Sequence, residues 1–474
     1  MEATLPISSA LKPAPRATPT TAASGVTAAS ITLPLRFMLA GLAALTLGMA
    51  WIILQPSILS TYHYNQDVIA ATHLFVLGWI STVVMGAMYQ LVPVALETRL
   101  YSERLAKWQF VFHVVGFVGM VWMFREWNMK QVGHFGCVLG FGVLLFVFNI
   151  ARTLLRVPKW NVVAHSIASA IGWISLTILA GLALATAKCT IDFEAETVSN
   201  WALAVDRVAS SIRRFDPIGA MHAHAHLGVI GFFIMLIVGV SYKLVPMFTL
   251  SEVQNRFRAA ASVILLNIGL AGAFFCILLR SPLKIVFAVI IAAALAIYGW
   301  ELIAILRARK RGPLDWGIRY FLTAVAFLVP LSFLGIVLSV HSLPLTAFTG
   351  QLENVYGFVG LIGVVSFAII GMLYKIVPFL IWFGTYSKHI GRAKVPALAD
   401  MYSAKLQALG FWSFLTGLLV TTSGILLSQA TVVRIGGVLL LATVITLLVN
   451  IGSMVRHYFS PQLASFKPAA SSIK

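Results

Sequence analysis

Apolar stretches of about twenty residues or more recur twelve times along the chain, separated by short polar connections. The runs are continuously apolar rather than alternating, which excludes a closed β-barrel and predicts membrane-spanning α-helices. A hydrocarbon core about 30 Å thick needs roughly 20 such residues. The predicted spans are 31–54, 68–96, 107–125, 131–152, 160–187, 218–248, 257–280, 283–308, 316–340, 353–383, 403–428 and 432–456. Residues 1–30, rich in Ala, Thr, Ser and Pro, read as a disordered tail, with a transit peptide sharing that composition. Residues 457–474 read as a C-terminal tail.

The pattern repeats within the chain. Residues 73–94 and 226–247 align with a His at position zero (His73, His226), Gly at +5 (Gly78, Gly231), Gly at +13 (Gly86, Gly239), Tyr at +16 (Tyr89, Tyr242) and Pro at +20 (Pro93, Pro246). A third copy at 358–379 keeps Gly363, Gly371, Tyr374 and Pro378 but starts on Phe358. The marked segments are spans 2, 6 and 10, so the period is four helices. The expected architecture is an all-α membrane protein of three pseudo-symmetric four-helix quartets, about 31–152, 160–308 and 316–456. Glycines at fixed positions allow helices to approach closely, and the Pro near each inner end suits helix termination.

Composition supports the membrane reading: 59% of residues are hydrophobic and 10% charged, against about 25% charged in a soluble domain. The net charge of +19 is spread over short connections, which argues against a nucleic-acid partner. Of the 34 Lys and Arg residues, 25 fall on the side holding both termini and 9 on the other, which predicts cytoplasmic termini. Cys137, Cys189 and Cys276 form no CxxC or CxxCH motif, so covalent haem attachment is not expected.

Imidazole inside a membrane span marks a functional site, because it is costly to bury without a partner. His222, His224 and His226 occupy five residues of span 6. His222 and His226 share one face, and His224 points nearly opposite at ~100° per residue. One helix therefore presents imidazole to two neighbours, as would suit a helix between two haems or between a haem and another metal. Neutral imidazole is a good ligand for iron, copper or zinc. The isolated His113 and His165 are expected to bond hydroxyls or carbonyls, and His63, His134 and His341 to meet water at outer ends. His341 or His134 is the expected partner if His222 builds a separate metal site.

The string His224-Ala-His226-Leu-Gly228-Val-Ile-Gly231-Phe232, followed by Gly239 and Tyr242, resembles the H-x-H-x-G-x-x-G-W motif of the haem-copper oxidase subunit I superfamily, closest to the C-family, cbb-type oxidases. NnrS-like proteins, linked to nitric oxide, offer a second comparison. The resemblance implies twelve helices with both termini inside, His224 as ligand of a high-spin haem, and His226 with His73 as ligands of a low-spin haem. The chain departs from the family in two ways. The motif lies on span 6 rather than span 10, and span 7, where the family carries a copper-binding His pair, has no His. Copper and full oxygen reduction are therefore not supported by the residues.

These readings set the functional expectation: an oxidoreductase-like membrane protein binding one or two haems b through His73, His224 and His226, with His222, His224 and His226 as metal candidates. Its part would be respiratory electron transfer or handling of O2 or NO in a bacterial inner membrane, surrounded by lipid. The donor would be cytochrome c or quinol, and further oxidase-like subunits could attend it. The rival readings are a cofactor-free or metal-binding transporter, with Glu301 and Glu353 as its intramembrane carboxylates, and a structural subunit on the same scaffold.

Overall fold

The computed structural model describes residues 31–188 and 200–463. The tail expected at 1–30, the distal residues 464–474 and part of the long outer loop, 189–199, lie outside the described residues. Twelve helices are long and apolar enough to cross a membrane: α1 Thr32–Leu54, α2 Gln66–Ala95, α3 Glu103–Arg125, α4 Met129–Leu154, α5 Val162–Lys188, α6 Pro217–Thr249, α7 Arg256–Leu278, α8 Lys284–Arg307, α9 Trp316–Leu338, α10 Ala347–His389, α11 Ala404–Leu426 and α12 Ala430–Phe459. Several begin before the apolar run, because polar N-caps take the first free N–H groups. Asn65 caps α2, Ser102 caps α3, Asp216 caps α6 and Thr346 caps α10. α12 continues to Phe459, so the expected C-terminal tail starts later. The outer loop carries a helix, Asn200–Ile212, that its mixed composition did not announce.

The repeat prolines do not end their helices. Pro93, Pro246 and Pro378 sit inside them, and the chain stays helical to Ala95, Thr249 and Tyr386. Each ring removes only the N–H that would reach the carbonyl four residues earlier, that of the repeat Tyr. Pro93 and Pro246 lie within a turn of their helix ends, where this loss is small, whereas two further turns follow Pro378.

A shared irregularity follows position zero. Residues Leu74–Ser81, Leu227–Ile234 and Val359–Ser366 are π-helical, one segment in each of α2, α6 and α10. Such widenings often accompany functional sites. Hydroxyls help satisfy displaced carbonyls: Thr82 Oγ1 donates to Leu77 at 2.7 Å, and Ser366 Oγ to Leu361 at 2.8 Å. The Trp79 indole N–H donates to Ser366 Oγ at 3.0 Å, joining the α2 and α10 segments.

The packing recurs every four helices. Gly86 of α2 faces Phe37 of α1, Gly239 of α6 faces Ser166 of α5, and Gly371 of α10 faces Gly317 of α9. A Cβ at these glycines would come within 2.3, 2.1 and 2.6 Å of the neighbour, so only Gly fits. α4 packs on α5, α8 on α9 and α12 on α1, which closes the ring.

A second repeat holds the helix ends away from the histidines. Asn149 of α4 accepts from the Ser102 N–H at 3.0 Å and donates to its carbonyl at 2.8 Å. Asn450 of α12 does the same to Ser403, at 2.8 and 3.2 Å. Glu301 of α8 stands in the equivalent place. It accepts from the N–H groups of Gln254 and Asn255 at 2.6 and 2.9 Å, and Arg258 grips its other oxygen at 2.7 and 2.8 Å. In each quartet the fourth helix clasps the start of the third.

Candidate cofactor and metal site

The apolar interior opens into a cavity of about 870 Å3 lined by residues of α2 to α10. That volume lies in the upper part of the ~300–1,000 Å3 range usual for ligand and cofactor sites. His63, His73, His222, His224 and His226 all line it. His73 is seven residues into α2 and His224 seven into α6, so both sit about 10 Å along their helices at 1.5 Å per residue.

α6 divides the imidazoles between two sides, as residues two apart on a helix must be. His224 turns toward α5, where its Cε1 would lie 3.0 Å from a Cβ placed on Gly181. His73 of α2 lines the same cavity as His224. The His73 ring also packs on Phe124 of α3, with centroids 4.5 Å apart. His226 turns the other way and stacks on Tyr356 of α10, with centroids 5.9 Å apart and Nε2 3.5 Å from the phenol oxygen.

Hydrogen bonds set the ring states. A carbonyl can only accept, so Nδ1–H of His73 donates to Ile69 at 2.7 Å, and Nδ1–H of His226 donates to His222 at 2.7 Å. Both rings therefore keep a lone pair on Nε2, the arrangement that orients an imidazole for a metal. His224 Nδ1 is buried with no hydrogen bond of good geometry. A dry, unpartnered ring nitrogen is costly, and a ligand at that ring would relieve it. The glycine cradle, the free imidazole nitrogens and the cavity fit a haem held between α2 and α6.

His222 meets neither His341 nor His134, both of which are exposed. Its Nε2 lies 2.9 Å from Nε2 of His63, from the connection between α1 and α2. His63 Nδ1 lies 3.7 Å from Glu353 of α10. Burial lowers the His63 basicity against the lift from Asn354, which favours the neutral ring. Burial raises the neighbouring Tyr62 phenol, helped by the negative charges of Glu353 and Asp216. The sequence alone places His63 in solvent, because nothing local marks a partner 159 residues away.

The isolated histidines have local duties. His113 Nε2 is 2.9 Å from Thr82 Oγ1 and 3.1 Å from the Leu77 carbonyl, supporting the α2 π segment. His165 is exposed beside Trp160. Glu301, a carboxylate of the transporter reading, pairs with Arg258 of α7. Its four contacts leave it a structural anchor.

Fold and site thus define a twelve-helix integral membrane protein with a histidine-lined interior cavity. Residues 17–125 match the family model for cytochrome C and quinol oxidase polypeptide I, so this part of the chain is similar to that family. That family generally binds haem.

Proposed function

We propose that the protein binds haem b between α2 and α6, with His73 and His224 as axial ligands, and serves respiratory electron transfer or diatomic-gas handling. The observation that carries this reading is the pair itself. Imidazoles from two different helices, His73 and His224, both line the cavity, and Nδ1 of His224 is buried with no hydrogen bond of good geometry. His226, paired with His73 in the motif comparison, instead faces Tyr356 and is assigned to a second haem on the other side of α6.

Bound haem supplies a one-electron couple whose potential the protein sets by ligation, burial and hydrogen bonding. The chain's own part is to hold the rings. The Ile69 carbonyl fixes the His73 tautomer, Phe124 limits its rotation, and Gly181 leaves room for His224. The apolar walls keep water away. α7 contributes no histidine, so no oxygen-reducing haem–copper centre is proposed. The donor would be cytochrome c or quinol. The Lys and Arg bias supports cytoplasmic termini, and a bacterial inner membrane suits that pattern.

The test is a reduced-minus-oxidised absorption spectrum of the purified protein, with pyridine haemochromogen and total metal on the same sample. One or two haems per chain and a sharp six-coordinate α-band support the reading. A flat spectrum in protein made with haem in excess rejects it.

A further inference from the structure

At the outer mouth of the cavity three chain segments converge on one point. His63 comes from the α1–α2 connection, His222 from the second turn of α6 and Glu353 from α10. One ligand atom from each lies within 4.8 Å of the others. None of the three belongs to the haem pair, and none lies on α7.

The contacts here are incomplete as hydrogen bonds. The two imidazoles face each other Nε2 to Nε2 at 2.9 Å, and one proton can satisfy only that pair. His63 Nδ1 and Asn354 Oδ1 are both buried and make no hydrogen bond of good geometry, although Asn354 lies near enough to His63 to lift its basicity. Glu353 stops 3.7 Å from His63, too far for a hydrogen bond. Asn354 is held in place through its amide nitrogen, which donates to the Thr61 carbonyl at 2.7 Å and to Gln351 at 3.0 Å. Those two bonds fix the amide orientation and leave its oxygen free.

We infer that His63, His222 and Glu353 form a binding site for a divalent first-row transition-metal ion. Two neutral imidazoles and a carboxylate are a donor set suited to Zn2+, Fe2+ or Cu2+, and too nitrogen-rich and oxygen-poor for Mg2+ or Ca2+. The dimensions agree. Metal–nitrogen bonds of about 2.0–2.1 Å in tetrahedral geometry put the two nitrogens roughly 3.3 Å apart. The rings need to separate by only about 0.4 Å from their present spacing to admit the ion. The ion would tie the α1–α2 connection to α6 and α10. It would also sit one helical turn from His226, whose Nδ1–H is bonded to the His222 carbonyl.

The experiment uses the full chain in lipid nanodiscs, stripped with chelator and titrated with Co2+, whose visible d–d bands report coordination. The expected result is one Co2+ per chain, displaced by Zn2+. His63→Ala and Glu353→Gln should each weaken binding about 10–100-fold, while His341→Ala, at an exposed outer-end histidine, should change nothing. A wild-type protein that takes up no stoichiometric Co2+ would overturn the site. So would undiminished binding by both the His63 and Glu353 variants, or an equal loss in His341→Ala. If His63→Ala does not fold, Glu353→Gln carries the test, since it preserves shape. Haem measured on the same samples reports separately on the haem reading.

Discussion

α6 and α10 are two versions of one helix. Both have the π segment after position zero, the glycines at +5 and +13, the buried Tyr at +16 and the Pro at +20. They differ in the turn before the π segment. Where α6 has His222, His224 and His226, α10 has Asn354, Tyr356 and Phe358. The π segment of α10 therefore forms without any imidazole of its own beside it. The widened helix belongs to the shared packing frame, and the ligand residues are an addition that one helix carries and the other does not.

The largest expected effect breaks that comparison at the histidines. His224→Ala and His73→Ala should each convert a six-coordinate haem spectrum to a five-coordinate one and release most of the haem between α2 and α6. His226→Ala should leave that six-coordinate signal in place, because its ring faces Tyr356. Loss of the signal in His226→Ala but not in His224→Ala would restore the pairing that the motif implies. Tyr356→Phe, at the α10 position matching His224, should leave the six-coordinate spectrum unchanged.

Next in size is the clasp at the helix ends away from the histidines. Glu301→Ala strands the Arg258 guanidinium and two backbone N–H groups, and breaking a buried ion pair from one side costs about 3–5 kcal/mol. Asn149→Ala removes neutral bonds and should cost about 1–3 kcal/mol. Thermal unfolding of the solubilised variants measures both. Equal losses would mean that the charge of Glu301 adds nothing to the shared clasp.

How much of this the sequence discloses depends on distance along the chain. The twelve spans and the repeat are legible because apolar run length and glycine spacing are local properties. The clasp leaves a regular trace too: Ser102 to Asn149, Gln254 to Glu301 and Ser403 to Asn450 are each 47 residues apart. That trace is masked in the middle of the chain, where Gln254 and Glu301 stand in place of the Ser and Asn of the other two pairs. The π segments share the repeat glycine at +5 but no common hydroxyl, since Thr82 and Ser366 supply one where α6 has Met235 and Ile234, and a glycine alone does not announce a widened turn. The union of His63, His222 and Glu353 is illegible, because it is made only when distant segments fold together. Nor does spacing alone say which of two histidines on opposite faces of α6 meets His73.

A smaller effect is expected where the quartets share packing. Gly239→Ala drives a methyl to within 2.1 Å of Ser166 Cβ, an overpacking that should cost about 1–3 kcal/mol. Gly133→Ala, with nothing within 4 Å of its Cβ, is the control and should be close to neutral. A destabilised control with a tolerated Gly239→Ala would show that α5 and α6 can slide apart, and would remove the close approach as the reason for glycine at +13.

The smallest effect is expected from making α10 more like α6. Phe358→His restores a histidine at position zero, on a side chain that is buried yet borders the cavity. The new ring would have the same π segment behind it that His226 has. The turn before it still offers Asn354 and Tyr356, where α6 has His222 and His224. A single added imidazole leaves α7 without histidines, so no haem–copper pair is created. Oxygen uptake with an artificial donor should stay at the wild-type level, even if a little extra haem binds. Measured turnover well above wild type would show that the frame, and not the ligand set on α7, is what limits oxygen chemistry in this protein.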